Sequence, residues 1–127
     1  MERRRIGSGS AWEERGGYSR AVVAAGHVFV AGTAPIMPGD ADPPSDPYGQ
    51  ACRCLEIVAA ALADAGCGLE HVVRTRLLMT DPSHAPEILR AHGEAFGEAR
   101  PACTGMVVGL LDPRWLVEIE ADAVLPS

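Results

Sequence analysis

The stretch RPACTGMVVGLLDPRWLVEIEADAV, residues 100–124, predicts two strands of a sheet that is covered on one face. Its last nine residues alternate between apolar and mostly acidic side chains, which is the period of a half-buried strand. Before the Asp112-Pro113 turn, PACTGMVVGL (101–110) reads as another strand, although Gly105 and Gly109 weaken it. The apolar face of the last strand needs a cover, which predicts helices elsewhere in the chain.

Two segments can supply that cover. A helix over 48–66 is capped by Asp46, has Pro47 in its first turn and ends at Gly66. Its apolar stripe consists of Ala51, Leu55, Val58, Leu62 and Ala65. The apolar stripe of a second helix, over 83–97, consists of Ala85, Ile88, Leu89 and Phe96, with His92 in its middle.

The remaining elements are a hairpin, a loop and two strands. SRAVVAAGHVFVAG (19–32) predicts a hairpin around a type II′ turn at Gly26-His27. Residues 35–47 contain five prolines and predict a loop that packs over a surface or an edge. Residues 71–80 predict a strand, and a further short strand is expected near Arg4 to Ile6. This order predicts an α+β fold with one sheet and two helices on one face.

The composition fits a single domain over residues 1–127, with 47% hydrophobic residues and a net charge of -6. All eleven basic residues are scattered arginines, so the chain lacks the basic stripe that nucleic acid needs. No apolar run could span a membrane and no export signal is visible, so we expect a cytoplasmic protein. The four cysteines lack zinc-site spacing, so we expect neither a metal site nor disulfides.

Three features, formed by four residues, offer chemistry, and the sequence leaves two interpretations open for each. Glu118 and Glu120 share one face of the last strand, either as a solvated surface or with one of them as an acid or base. His92 is either a satisfied core histidine or a site residue. Cys103 is either a small core residue or a reactive thiol, which would need a histidine, a cation or a helix N-terminus beside it.

Four segments, in this order, resemble the RidA/YjgF family, also known as L-PSP endoribonuclease-like proteins. They are GYSRAV…VFVAG (17–32), TAPI (33–36), ALADAGCGLEHVVRTRLLMTD (61–81) and the stretch 100–124. The resemblance implies a chorismate-mutase-like α+β fold, a homotrimer and clefts between subunits. It also implies hydrolysis of reactive imines and enamines to ketoacids and ammonia, without a metal or an organic cofactor.

The resemblance implies site residues as well. The family's glutamate, which helps to position the attacking water, matches Glu118, and its cleft tyrosine matches Tyr18. The family's carboxylate-binding arginine matches Cys103, so a neutral thiol replaces a guanidinium that can bind a carboxylate through two hydrogen bonds. A plain 2-imino acid would therefore be held weakly.

We expect a cleft that contains several residues besides Glu118 and Cys103. These further residues are Tyr18, Thr33, His92, Trp115 and Arg114. Candidates to replace the missing arginine are Arg90, His92, Arg100 and Arg114.

The sequence thus predicts an enzyme that hydrolyses or rearranges an imine, an enamine or a related electrophile. Glu118 would act as the general acid and base, and Cys103 would either shape the pocket or attack as a thiolate. The alternative is a trimer that binds a metabolite or acts as a scaffold without turnover, which the missing arginine favours. The acidic charge argues against a ribonuclease.

Overall fold

A computed structural model describes residues 2–127, and its central feature is a six-stranded sheet. The strands are β1 (Arg3–Ile6), β2 (Ala21–Ala24), β3 (His27–Thr33), β4 (Val72–Met79), β5 (Ala102–Val107) and β6 (Val117–Val124). They lie in the order β1-β2-β3-β6-β4-β5. All neighbours are antiparallel except β4 and β5, which are parallel.

Three α-helices accompany the sheet among the described residues: α1 (Ala11–Gly16), α2 (Pro47–Ala65) and α3 (Ala85–Phe96). Short 3-10 turns lie at Pro38–Asp40, Leu69–His71 and Pro82–His84. Both long helices, α2 and α3, cover the same face of the sheet, so the predicted α+β architecture is confirmed. None of the helices within residues 2–127 is long and apolar enough to cross a bilayer.

Helix α2 follows its local sequence signals. The Asp46 side chain accepts a hydrogen bond from the Gly49 amide, and Pro47 occupies the first turn. Gly66 ends the helix in the left-handed region at φ 98°. All five residues of the predicted stripe are buried in the core. These boundaries and this buried face are therefore as predicted.

The sheet has a helix side and an open face. On β6, Val117, Ile119, Ala121 and Ala123 are fully buried on the helix side. Glu118, Glu120 and Asp122 alternate with them and lie on the open face. Across β4, the open face carries Arg74, Arg76 and Leu78, which pair with these acidic residues. Only the helix side is packed within one chain.

Two local predictions were wrong, and one helix was not predicted. The hairpin turn is Ala25-Gly26, one residue earlier than predicted, and both residues have positive φ (52° and 76°), as a type I′ turn requires. Leu89 is 51% exposed, and Ala91 is buried in its place because α3 faces the sheet at a slightly different angle. Helix α1 had no predicted counterpart, although Ser10 caps it and Gly17 ends it.

The buried side chain of Gln50 connects two loops. Its Nε2 donates to the carbonyls of Pro44 and Arg114, both at 2.9 Å. Its Oε1 accepts from the Leu116 amide at 2.7 Å. One amide at the start of α2 thus ties the proline-rich loop to the segment that leads into β6.

Replacing Gln50 with alanine is expected to lower the free energy of unfolding by about 2 to 4 kcal/mol, because buried backbone groups lose their partners. Urea unfolding at one fixed protein concentration measures this change. Glu56→Ala, on the exposed side of the same helix, serves as the control and should change stability by less than about 0.5 kcal/mol. An equal effect of both substitutions would contradict the role of Gln50.

Candidate functional site

Glu118 lies on the open face of the sheet, next to the backbone of Gly32. It is half-buried, and no donor among residues 2–127 makes a hydrogen bond to its carboxylate. A Cβ atom added to Gly32 would lie 3.2 Å from Oε1 of Glu118, so a side chain at this position would crowd the carboxylate. Burial and the charge of Glu120 raise the pKa of Glu118, and the positive charge of Arg20 opposes them. Such a carboxylate is free to accept a proton.

The strand beside Glu118 contains a bulge. The pairing of β3 with β6 shifts its register between Val30 and Thr33, which leaves Ala31 and Gly32 outside the regular ladder. Arg20 donates through Nη2 to the carbonyls of Ala31 and Gly32, both at 2.8 Å. Bulges of this kind re-aim the backbone and often lie next to active sites.

Arg20 is the site residue that the sequence analysis missed. It precedes β2 directly, and its carbonyl accepts from the Ala31 amide, which extends the hairpin ladder. Alternation from the buried Ala21 puts the Arg20 side chain on the open face with Glu118. The available signal was a single arginine inside the apolar run RAVVAAG. Only the position of the bulge shows what this arginine contacts.

Thr33 contributes to the bulge from the other side. Its side chain is fully buried on the helix side, opposite Ile119. Its Oγ1 donates to the Ala31 carbonyl at 2.7 Å. Thr33 therefore contacts the same carbonyl as Arg20 and does not itself reach the open face.

Tyr18 lies at the junction of α1 and β2. Its side chain is 52% exposed and lies so close to Gly16 that a Cβ there would be 2.9 Å from the ring. It lines an open groove of about 590 Å³ together with Arg3, Arg5 and residues of α1. Glu118 does not line this groove, so the groove and the carboxylate are separate features of the structure.

Cys103 is exposed on β5, an edge strand of the sheet. It pairs with Thr75, whose side chain is buried on the helix side, and paired residues point the same way. Glu118 points to the opposite face, and β4 lies between the two strands, which separates them by about 10 Å in the plane of the sheet. The structure of one chain therefore does not bring Cys103 and Glu118 together.

His92 lies in the core between α3 and the sheet. Its Nε2 is 2.8 Å from Oγ1 of Thr75, and its ring packs against Phe96 with the centroids 4.7 Å apart. Burial lowers the pKa of His92. These contacts satisfy the imidazole on the helix side, away from Glu118.

Arg114 holds loops together. Its guanidinium bonds Asp112 through two nitrogens, at 3.1 and 2.9 Å, and Asp42 at 3.0 Å. These carboxylates raise the pKa of Arg114 and occupy its donors. Trp115 is half-buried in the same loop, and its amide donates to the Asp112 carbonyl. Neither residue is brought next to Glu118 by a contact within the chain.

The site that one chain builds is thus Glu118, the glycine bulge and Arg20, with Tyr18 nearby. No cluster of three or more metal-ligating side chains occurs in the described part of the chain. A partly desolvated carboxylate without a hydrogen-bond donor, beside an open backbone, can take a proton from water or return one to a leaving group.

Comparisons with known proteins show sequence similarity over most of the chain. The sequence profile of the family described as Endoribonuclease L-PSP matches residues 8–125. The uncharacterized protein SCO2049 of Streptomyces coelicolor is 40% identical over 121 residues, which cover 94% of this chain and 90% of that protein. The 3-aminoacrylate deaminase RutC of Acinetobacter baylyi is 32% identical over 97 residues, which cover 76% of this chain and 77% of that protein.

A solved structure extends the similarity to the fold. Rv2704 from Mycobacterium tuberculosis, described as a member of the highly conserved YjgF/YER057c/UK114 family, is 40% identical and superimposes with a TM-score of 0.88. The match covers 98% of this chain and 100% of that chain. The same element order therefore occurs in both proteins.

The buried state of His92 predicts a pH dependence of stability. Its pKa in the folded chain lies below the ordinary 6.5, so its contribution is complete above that pH and is lost as the pH falls through the folded-state pKa. Urea unfolding between about pH 7 and pH 5 should show a steeper loss for the wild type than for His92→Gln. The exposed His27→Gln is the control and should keep the wild-type slope.

Proposed function

The chain belongs to the Endoribonuclease L-PSP family, the RidA/YjgF proteins, and from this premise we propose that it hydrolyses a reactive imine or enamine. The family membership and the YjgF-like fold predicted from the sequence are confirmed. The single observation that carries the proposal is the Glu118 carboxylate, half-buried, without a hydrogen-bond donor and open to the sheet face. The name of the relative RutC, a 3-aminoacrylate deaminase, supports this class of chemistry.

Glu118 acts in both halves of the proposed reaction. It takes a proton from water as the water oxygen forms a bond to the carbon of the protonated imine, and the C=N π electrons move to the nitrogen, which becomes a neutral amine. Glu118 then returns that proton to the amine nitrogen, the C–N bond breaks and ammonia leaves. The hydroxyl oxygen forms the carbonyl as its proton passes to the Glu118 carboxylate and on to solvent. An enamine first takes a proton from solvent on its terminal carbon, which converts it into the protonated imine. No metal or redox cofactor takes part in these steps.

The substrate is proposed to lack the carboxylate of a plain 2-imino acid. Cys103 stands where the family resemblance has an arginine, and a thiol offers no charge-assisted partner to a carboxylate. Arg114 is paired with Asp42 and Asp112, which already compensate its charge, and this pairing supports a substrate without a carboxylate. The acidic side chains Glu118 and Glu120 favour a neutral imine or a protonated, cationic one over an anion.

We further propose that the active cleft forms between subunits of a homotrimer, in the cytoplasm. Cys103 faces the helix side at an edge, so only the edge strand of another copy can bring it to Glu118. The open face carries Phe29, Met106 and Val124, which are 48%, 39% and 42% exposed and can be covered by a second copy. The four free cysteines fit a reducing compartment.

A trimer of this 13.3 kDa chain should have a mass of about 40 kDa in light scattering coupled to size-exclusion chromatography. Phe29→Glu puts a negative charge opposite Asp122 on the open face and should yield smaller species. Leu89→Glu changes an equally exposed leucine on α3 and should leave the mass unchanged. A wild-type monomer would overturn the proposal of a shared cleft.

Hydrolysis is tested with two imines generated in the assay. An amino-acid oxidase acting on alanine supplies 2-iminopropionate, an amine oxidase acting on ethylamine supplies a carboxylate-free imine, and semicarbazide traps whatever remains. We expect the wild type to prefer the carboxylate-free imine and Glu118→Gln to be slower by about 10²- to 10⁴-fold. Cys103→Arg should raise activity on 2-iminopropionate about 10- to 100-fold through a charge-assisted pair.

The matched control is Glu56→Gln, which changes an exposed carboxylate on α2 and should keep full activity. Equal rates for the wild type and Glu118→Gln would overturn the catalytic role of Glu118. If neither the wild type nor Cys103→Arg hydrolyses either imine, the alternative is favoured, which is a trimer that binds a metabolite or acts as a scaffold. The chain's net charge of -6 argues against RNA as the substrate.

A further inference from the structure

We propose that Arg20 is the positioning residue of this site, which fixes the Ala31-Gly32 bulge against Glu118 and sets a positive charge beside its carboxylate. The role of Glu118 in hydrolysis rests on the proposed function. The contacts of Arg20 do not, because they are features of the folded chain. Arg20 lies in a segment that resembles the family, but it is not among the site residues that the resemblance implies.

The contacts of Arg20 reach both carbonyls of the bulge from one end of a long side chain. A single nitrogen, Nη2, bridges the carbonyls of Ala31 and Gly32 at 2.8 Å each. These two carbonyls belong to the bulge, which has no complete ladder of its own to hold it in place. Arg20 therefore replaces the missing strand contacts at the point where the backbone meets Glu118.

The carboxylate of Glu118 occupies the space beside the bulge that a side chain at position 32 would need. A Cβ atom added to Gly32 would lie 3.2 Å from Oε1 of Glu118, and glycine leaves this space to the carboxylate. Because Arg20 binds the carbonyls of Ala31 and Gly32, it holds the backbone wall against which Glu118 lies.

The electrostatics lead to the same residue. Arg76, the neighbouring cation on the open face, is paired with Glu120 at 3.3 Å and with Asp122 at 3.6 Å. Arg20 is partly buried, and burial lowers its pKa while Glu13 and Glu118 oppose that change. A guanidinium stays charged under these conditions, and its field is screened less than at the surface.

The groups that face Glu118 come from several elements. Its own strand supplies Glu120, α2 supplies the buried thiol of Cys54 beneath the sheet, and the residue before β2 is Arg20. Glu13 and Tyr18 face Arg20 from the segment around α1. Among these groups, Arg20 is the one that favours an ionised Glu118. Loss of its charge should therefore raise the pKa of Glu118.

The test follows the titration of the Glu118 carboxyl carbon by ¹³C NMR in the intact protein. In Arg20→Met the midpoint should rise by about one pH unit relative to the wild type. In Arg20→Lys, which keeps the charge but ends one bond short of the Nη2 position, the midpoint should stay near the wild-type value. Arg90→Met changes a cation that stacks on Tyr48 and should leave the midpoint unchanged. An unmoved midpoint in a folded Arg20→Met protein would overturn the electrostatic role.

Activity supplies the second readout. The acid limb of the hydrolysis profile should move to higher pH in Arg20→Met, while Arg20→Lys should lower kcat about 10-fold or more with the limb in place, because the bulge is loosened. Full kcat in Arg20→Lys would overturn the geometric role. If Glu118→Gln hydrolyses imines at the wild-type rate while the NMR midpoints shift as expected, the proposed function fails and the assignment of Arg20 stands.

Discussion

The alternation of β6 is the constraint on which both the core and the site depend. This strand lies inside the sheet, with β3 on one side and β4 on the other. Its four apolar residues are fully buried, and the acidic residues between them face away. A slip of one residue would exchange the two sets and bury three carboxylates. The register that makes the core therefore also fixes Glu118 on the open face.

Local signals were sufficient for much of this fold. Asp46, Pro47 and Gly66 define α2 because caps act within one turn of the chain, and the alternation of β6 identified the face of Glu118. Local signals could not predict the contacts of Arg20, because these contacts require a bulge that forms only when β2, β3 and β6 are paired. The side of the sheet that Cys103 faces likewise depends on β5 pairing in parallel with β4.

The same difference between local signals and long-range contacts explains which residues of the candidate site the sequence could indicate. Glu118 and Tyr18 both lie on the open face or at its border. His92 and Thr33 lie on the helix side instead, where each buried polar group has its own partner: the imidazole bonds the Thr75 hydroxyl, and the Thr33 hydroxyl donates to the Ala31 carbonyl. Arg114 binds Asp112 in its own loop and Asp42 in the proline-rich loop. The contact with Asp42 joins residues that are 72 positions apart, and no local pattern predicts it.

Replacing an arginine with a cysteine at position 103 changes more than one contact. The positive charge of Arg20 acts on Glu118, but its Nη2 is already bound to two backbone carbonyls. Glu120 is paired with Arg76, so Glu118 is the carboxylate without such a pair that a substrate meets under the proposed function. A protonated imine is both the form that water attacks most readily and the form that this carboxylate attracts. The Glu118 carboxylate stabilises this cation before it takes a proton from the water, so a substrate without a carboxylate loses nothing when the arginine is absent.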